Sequence, residues 1–299
     1  MSKKLSTAFL VLAGALWGCL SIFVSALSDY GFDSKEIGFI RISLCTLMLL
    51  VIILIRDRSL LRVQLRDMWM FVGTGIISVT LFSYCYFTTV INVEAGIAAS
   101  LLYTSPVFVM LFSAVLFRER ITAQKIAAIV LTVSGVALVS GMLGSSALGA
   151  LDLIIGIGAG LFYSLYSIFG VYALRKYSSL TVTFYTFLLG TIGFLFMTNP
   201  IAIIEKTASN PVVIPMEIGL ALFNGLLPYL FTIGLGHTDA SVAGVLVAVE
   251  PLVGCLVGIF VFHESVNPAK LIGIALILSA IVLLNIRLSH KSTAKEIPA

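Results

Sequence analysis

The sequence has 299 residues, of which 60% are hydrophobic and only 11% are charged. Soluble domains carry about 25% charged residues, so this composition excludes a cytosolic enzyme, a nucleic-acid-binding protein and a disordered chain. It is typical of a polytopic membrane protein that is surrounded mostly by lipid. The net charge of +4 is less informative than the placement of the cations, because cytoplasmic loops collect Lys and Arg.

Ten apolar runs each have the length of about 20 residues that a membrane-spanning helix needs. The runs cover residues 6–27, 35–55, 69–90, 96–117, 122–142, 151–174, 181–204, 214–235, 241–262 and 268–287. The connections between them are too short to hold a soluble domain. The sequence therefore predicts an all-α membrane protein with ten transmembrane helices. The first run also resembles a signal peptide, but it is longer than the usual apolar region of one.

The positions of the cations predict the orientation. If the N-terminus is cytoplasmic, most of the 18 Lys and Arg residues fall in cytoplasmic segments, and only Lys35, Lys206 and Lys270 fall outside. Such a bias follows the positive-inside rule and needs an even number of spans. We therefore expect both termini to be cytoplasmic, with the chain in a bacterial-type cytoplasmic membrane, that is, an inner or plasma membrane.

The two halves of the sequence align on each other at a nearly constant shift of 145 residues. The matches that do not depend on apolar composition are Tyr84 with Tyr229, Glu94 with Asp239, Pro106 with Pro251, Glu119 with Glu264, and Lys125 with Lys270. These matches predict two repeats of five spans, at residues 5–143 and 150–288. Since five is odd, the second repeat enters the membrane inverted, which is the architecture of transporters that work by alternating access.

Each half of the sequence carries recognisable motifs, namely Gly14-Ala15-Leu16-Trp17-Gly18, Arg41, Pro106 followed by Phe117-Arg118-Glu119-Arg120, and Glu250-Pro251 followed by Phe262-His263-Glu264. With these motifs the chain resembles the EamA domain of the drug/metabolite transporter superfamily. The resemblance covers residues 5–288 and implies two inverted five-helix repeats. Members that resemble this chain export amino acids, other metabolites or toxic compounds, whereas others carry nucleotide sugars or sugar phosphates. The resemblance therefore leaves the substrate open.

The two prolines matched between the repeats lie in the middle of spans four and nine. A proline inside a helix removes one hydrogen bond and pushes away the carbonyl four residues earlier. We therefore expect Pro106 and Pro251 to kink their helices beside a cavity, and the carbonyls of Leu102 and Val247 to lose their partners. The alternative is a structural bend that a neighbouring helix satisfies.

Two charged residues are expected inside the membrane. Glu250 lies ten residues into span nine, which is a depth of about 15 Å. A carboxylate there usually marks a substrate pathway, a proton relay or a cation site, although a neutral interhelical hydrogen bond is the alternative. Arg41, six residues into span two, is suited to an anionic substrate group, but it could also reach the interface or pair with Asp33 or Glu36.

Polar and aromatic side chains at further positions within the spans complete the predicted cavity. The candidates are Trp17, Ser21, Ser78, Tyr84, Tyr103, Tyr163, Tyr166, Asn224 and Tyr229. Aromatic residues with polar tips can hold an amphipathic ligand, although interfacial belts also explain many membrane tyrosines. We expect three glycine motifs to serve helix packing, because small residues let helices approach closely. They are Gly14-x-x-x-Gly18, Gly156-x-x-x-Gly160 and Gly254-x-x-x-Gly258.

The sequence contains none of the usual enzyme signatures: it has no H-E-x-x-H, no G-x-S-x-G and no P-loop. Its four cysteines all lie in apolar runs, so we predict neither disulfides nor a metal site, and no cofactor. The function predicted is secondary export of small metabolites, amino acids or related compounds, with the lipid bilayer as surroundings and the proton as a candidate coupling ion. The alternative is a membrane-embedded enzyme or a non-transporting assembly subunit.

Overall fold

The computed structural model describes residues 3–92, 98, 101–139, 149–261 and 268–288, and within these ranges the chain is helical without any β-strand. Its helices are α1 (Lys3–Asp29), α2 (Ser34–Arg56), α3 (Met68–Val72), α4 (Leu81–Asn92), α5 (Ser105–Leu116), α6 (Ala123–Val139), α7 (Ala150–Leu174), α8 (Ser179–Phe194), α9 (Pro200–Ser209), α10 (Ile214–Leu235), α11 (Ala240–Leu246), α12 (Val249–Phe260) and α13 (Pro268–Leu288). A π-helix at Gly73–Thr80 joins α3 to α4 without interruption.

These helices form the ten predicted spans. Span three consists of α3, the π-helix and α4, and span nine consists of α11 and α12. The other spans are α1, α2, α5, α6, α7, α8, α10 and α13, in chain order. Within the described residues, six helical stretches are long and apolar enough to cross a membrane, and four shorter apolar helices supply the remaining spans.

Span seven differs from its prediction, because the run 181–204 is not one helix. Helix α8 ends at Phe194, and α9 begins as a separate helix at Pro200. Asn199 caps α9 by accepting a hydrogen bond from the Ile201 amide at 3.1 Å. Because a proline favours the first turn of a helix and an asparagine favours the N-cap, this pair starts a new helix inside the apolar run.

The packing of the spans repeats itself between the two halves. Span one packs on spans eight and nine, and span six packs correspondingly on spans three and four. Span two packs on spans seven and eight, and span seven packs on spans two and three, while spans five and ten pack on each other. Adding five to each span number, and continuing from span ten to span one, converts the contacts of one half into those of the other. This reciprocity is the packing of two repeats of opposite orientation.

Glycines allow the repeats to touch backbone to backbone. A Cβ atom added to Gly14 of α1 would lie 2.7 Å from the Val247 carbonyl oxygen of span nine. A Cβ atom added to Gly160, the repeat counterpart of Gly14, would lie 2.9 Å from the Leu101 carbonyl oxygen of span four. These contacts confirm the packing role predicted for Gly14-x-x-x-Gly18 and Gly156-x-x-x-Gly160, and they place span one against the centre of span nine and span six against the centre of span four.

Candidate functional site

Spans four and nine are each broken near the middle. A turn at Tyr103 and Thr104 precedes α5, and a turn at Val247 and Ala248 separates α11 from α12. In transporters built from inverted repeats, such discontinuous helices carry the substrate site at mid-membrane. The two breaks occupy matching positions in the two repeats.

The predicted proline kinks are wrong in form, because each helix stops and restarts instead of bending. Pro106 and Pro251 lie in the first turns of α5 and α12, where a missing amide hydrogen costs little because the first amides have no intrahelical acceptor. The Val247 carbonyl, which was expected to lose its partner, accepts a hydrogen bond from the Glu250 amide at 2.9 Å. A gating role for the two prolines stays a prediction.

Four polar side chains lie within electrostatic range of Glu250, which follows the break of span nine, and together with it they form what we name the central chamber. The five residues of the chamber are Arg41, Tyr86, Tyr103, Tyr163 and Glu250. The carboxylate of Glu250 lies next to the Tyr103 hydroxyl and within electrostatic range of the Arg41 guanidinium. Arg41 and Glu250 are surrounded by protein, yet both keep part of their surface exposed. Each therefore has part of its surface next to space large enough for a water molecule.

The two opposite charges of the chamber do not pair directly. Among the described residues no ion pair within 4.0 Å joins Arg41 to Glu250. The Arg41 Nε atom is buried without a hydrogen-bond partner, and the Tyr103 hydroxyl makes no hydrogen bond of standard geometry although it neighbours Glu250. Unsatisfied buried polar groups are costly, so this arrangement is suited to a ligand that carries both kinds of charge.

The structure does not show the pairing of Arg41 with Asp33 or Glu36 that was one alternative for this residue. Glu36 binds Lys206, with Oε2 at 2.6 Å from Nζ. Asp33 caps α2 by accepting hydrogen bonds from the Lys35 and Glu36 amides at 2.8 Å each. Both carboxylates are thus engaged at the helix end, whereas Arg41 faces the chamber.

A small cavity adjoins the chamber. It has a volume of about 20 Å³ and is lined by Tyr103, Ser105, Tyr163, Tyr166, Phe231 and Val247, together with four other residues of spans four, six and nine. This volume holds about one water molecule. Tyr103 and Tyr163 belong to both the chamber and the cavity, so the two spaces share a wall of tyrosines.

The structure brings most of the predicted aromatic candidates to this region. Tyr166 lines the small cavity, and its hydroxyl has no hydrogen-bond partner. Its ring centroid lies 5.5 Å from that of Phe231, which in turn lies 5.8 Å from Trp17. Trp17 therefore packs behind the cavity wall rather than lining it.

Other predicted residues lie elsewhere. The Tyr84 side chain is 54% exposed on the outside of the bundle, and Tyr229 packs with an apolar cluster that includes Leu180 and Phe184. Ser78 and Asn224 are buried and have a side-chain atom without a hydrogen-bond partner, but nothing places them at the chamber. The side chain of Ser21 lies outside the described part of the chain.

Tyr86 is the chamber residue that sequence reasoning missed. The tyrosine predicted for the cavity in span three is Tyr84, two residues before Tyr86. The π-helix at Gly73–Thr80 precedes both tyrosines in the same span. Because a π-helix has more residues per turn than an α-helix, it rotates every later residue around the helix axis. The inward position consequently falls on Tyr86.

Ion pairs join the two repeats at both ends of the bundle. One end of the bundle holds the loops that follow spans two, four, six and eight. At this end Lys176 binds Asp67 at 2.7 Å, and Glu119 binds Lys125 at 2.9 Å. Lys125 also contacts Asp239 of the second repeat at 3.2 Å. At the opposite end, the pair of Glu36 and Lys206 closes the gap between α2 and α9.

Comparisons with known proteins agree with this architecture. A solved crystal structure of a protein with 18% sequence identity superposes with a TM-score of 0.80 and covers 97% of this chain and all of the other, which shows the shared fold. Two proteins of Archaeoglobus fulgidus, each described as an uncharacterized transporter, are also similar. One is 30% identical over 282 residues, covering 92% of this chain and 94% of the relative, and the other is 26% identical over 247 residues, covering 82% and 86%.

The model of the EamA-like transporter family matches residues 5–141 and again residues 151–286. The two matches cover both halves of the chain and most of its length. The exact limits of the two repeats, predicted at 5–143 and 150–288, stay a prediction. The chain is a multi-pass membrane transporter and belongs to the EamA-like transporter family.

Proposed function

We propose that this transporter exports small metabolites, namely amino acids or related compounds, by alternating access between its two inverted repeats. The observation that carries the proposal is the chamber in which Arg41 of the first repeat and Glu250 of the second lie within electrostatic range of each other without an ion pair among the described residues.

The chemistry of the chamber is suited to a zwitterion. A guanidinium group binds a carboxylate through two parallel hydrogen bonds, and a glutamate carboxylate binds an ammonium group. An α-amino acid carries both groups on one carbon atom. The hydroxyls and rings of Tyr86, Tyr103 and Tyr163 add a surface for the remainder of the molecule. These features support amino acids over purely anionic or purely cationic substrates.

The small size of the adjoining cavity supports a mechanism with moving halves. A volume of about 20 Å³ is far below the several hundred Å³ of usual ligand pockets, so the site must widen to pass a substrate. The chamber walls come from both repeats, and a movement of one repeat against the other would widen it. Ion pairs at both ends can then open in turn, as alternating access requires.

Glu250 is also our candidate for proton coupling. A carboxylate that binds either a proton or a substrate ammonium makes the two ligands compete for one site. Such competition produces exchange of a proton for a substrate across the membrane. The cation bias of the loops supports cytoplasmic termini, so protons that enter the cell would drive the export of the substrate.

The proposal is tested by reconstituting the purified chain into liposomes and measuring flux with amino acids, nucleosides, organic acids and cationic drugs. We expect saturable flux for amino acids, accelerated by a pH gradient. Absence of flux above protein-free liposomes for all four classes would contradict the proposal and favour the alternative of a non-transporting assembly subunit. Chemical conversion of a compound without its movement would identify a membrane-embedded enzyme.

A further inference from the structure

A groove of about 530 Å³ lies on the surface of the bundle between α2 of the first repeat and α10 of the second. Its walls include Met48 and Ile52 of α2 and Leu222 and Leu226 of α10. Leu222 is 53% exposed, Leu226 is 50% exposed and Ile52 is 40% exposed. The groove is therefore open to the surroundings of the bundle, which within a membrane are the acyl chains of lipids.

The lining of the groove excludes a polar occupant. Apart from Tyr229 and Arg56, every residue that lines it is apolar. A zwitterionic metabolite would lose the hydration of its charges there without a counter-charge for each of them. An acyl chain loses no hydrogen bonds on entering the same space. The groove is therefore suited to an apolar occupant, whereas the central chamber is lined by charged and polar side chains.

The positively charged Arg56 lies at one end of the groove. Arg56 lines it and is the last residue of α2, about 12 Å along the helix from Met48. Arg56 is exposed and has no ion pair among the described residues. The neighbouring carboxylate of Asp57 is engaged by the amide and the hydroxyl of Ser59, at 2.8 and 2.7 Å.

More cations follow at the same end of the bundle. Arg58, Arg62 and Arg66 lie in the segment between α2 and α3. Clusters of basic residues directly beside a transmembrane helix attract anionic lipid headgroups. The apolar groove thus matches an acyl chain, the cation at its end matches a phosphate, and the basic segment beyond it matches a net negative charge. One kind of molecule carries all three features.

We propose that this groove binds an acyl chain of an anionic phospholipid, whose headgroup phosphate is held by Arg56. Because α2 and α10 belong to different repeats, the bound lipid contacts both of them. The proposal does not depend on the identity of the transported substrate.

Native mass spectrometry of the full chain in detergent tests the proposal, with phosphatidylglycerol and phosphatidylcholine of identical acyl chains as probes. We expect the protein to retain phosphatidylglycerol in preference to phosphatidylcholine. Arg56→Gln should reduce the retained phosphatidylglycerol at least about fivefold, whereas Arg56→Lys should keep it. Leu226→Trp, which fills the groove, should reduce the retention of both lipids.

Arg58→Gln is the matched control, since Arg58 carries the same charge two residues away but does not line the groove. We expect it to retain phosphatidylglycerol nearly as the unmodified chain does. Equal losses in Arg56→Gln and Arg58→Gln would show diffuse attraction by the basic segment and would overturn the proposal. Equal retention of the two lipids by the unmodified chain would overturn it as well. Thermal melting of each variant in the same detergent separates lipid loss from unfolding.

Discussion

Arg41→Gln is expected to lower the ratio of the maximal transport rate to the half-saturating concentration by about 10- to 100-fold for amino acids. A hydrogen bond to a charged group contributes about 1.5–3 kcal/mol, and each 1.4 kcal/mol corresponds to a factor of ten. The loss should be confined to substrates with a free carboxylate, so an amine that lacks this group should be transported equally by the variant and by the unmodified chain.

Glu250→Gln should show the complementary pattern, with weak transport of compounds that carry an ammonium group and unchanged handling of their N-acetylated analogues. If Glu250 also carries the coupling proton, this variant should lose net uphill transport driven by a pH gradient. It should still exchange substrate across the membrane at high concentration. Unchanged behaviour in both assays would mean that Glu250 forms only an interhelical contact with Tyr103.

Tyr84→Phe is the control for both charge variants, because the Tyr84 side chain is 54% exposed on the outside of the bundle. We expect its flux to equal that of the unmodified chain.

Similar losses of flux for all substrates in Arg41→Gln, with a lowered melting temperature, would assign Arg41 to folding and remove it from the chamber.

Gly160→Ala should destabilise the protein markedly, by about 1–3 kcal/mol, which is the usual cost of overpacking a core. The added methyl group would contact the side-chain oxygen of Thr104 and would lie 2.9 and 3.1 Å from the carbonyl oxygens of Leu101 and Leu102. Because these carbonyls are backbone atoms at the break of span four, they cannot move aside without moving the break itself. Thermal melting of the purified protein measures the effect.

Gly158→Ala is the matched control in the same helix. A Cβ atom there would meet only the sulfur of Cys85, at an ordinary contact distance of 3.6 Å. Since Ala is favoured over Gly inside a helix by up to about 1 kcal/mol, this variant should melt at the same or a slightly higher temperature. Equal stability of Gly158→Ala and Gly160→Ala would contradict the close packing of span six on the break.

The number of spans and their repeat could be predicted from the sequence, because both depend on features that are local or recur at a fixed spacing. Apolar runs of membrane length mark the spans, and the match of Pro106 with Pro251 marks the repeat. The end of span seven could also have been read from Asn199 and Pro200, which form an ordinary helix start inside an apolar run.

The composition of the chamber could be predicted only in part. Arg41 and Glu250 stand out because charge is rare inside a membrane, but their meeting depends on how spans two and nine are arranged in space. Tyr86 was hidden because the π-helix changes the face that each later residue presents. A proline likewise does not reveal whether a helix bends or restarts, because that depends on the residues packed against it, such as Gly14 and Gly160.

The central claim is that the two repeats open the same site to each side of the membrane in turn. A single cysteine at Ser167, which lines the small cavity, can be introduced into a variant without the four native cysteines. Its reaction with an impermeant thiol reagent is then measured in right-side-out and in inside-out vesicles.

The same measurement with cysteines at Arg62, Lys176, Lys206 and Lys270 fixes which end of the bundle is cytoplasmic.

Cross-linking each end of the bundle makes this measurement decisive. A bifunctional thiol reagent that joins cysteines in place of Glu36 and Lys206 can lock one end, and the same reagent on cysteines in place of Asp67 and Lys176 can lock the other, because the native side chains of each pair meet in an ion pair. We predict that the cysteine at position 167 reacts from both sides in the unlocked protein, and from only the opposite side when either end is locked. Reaction from one side only in the unlocked protein, or reaction that neither lock changes, would contradict alternating access.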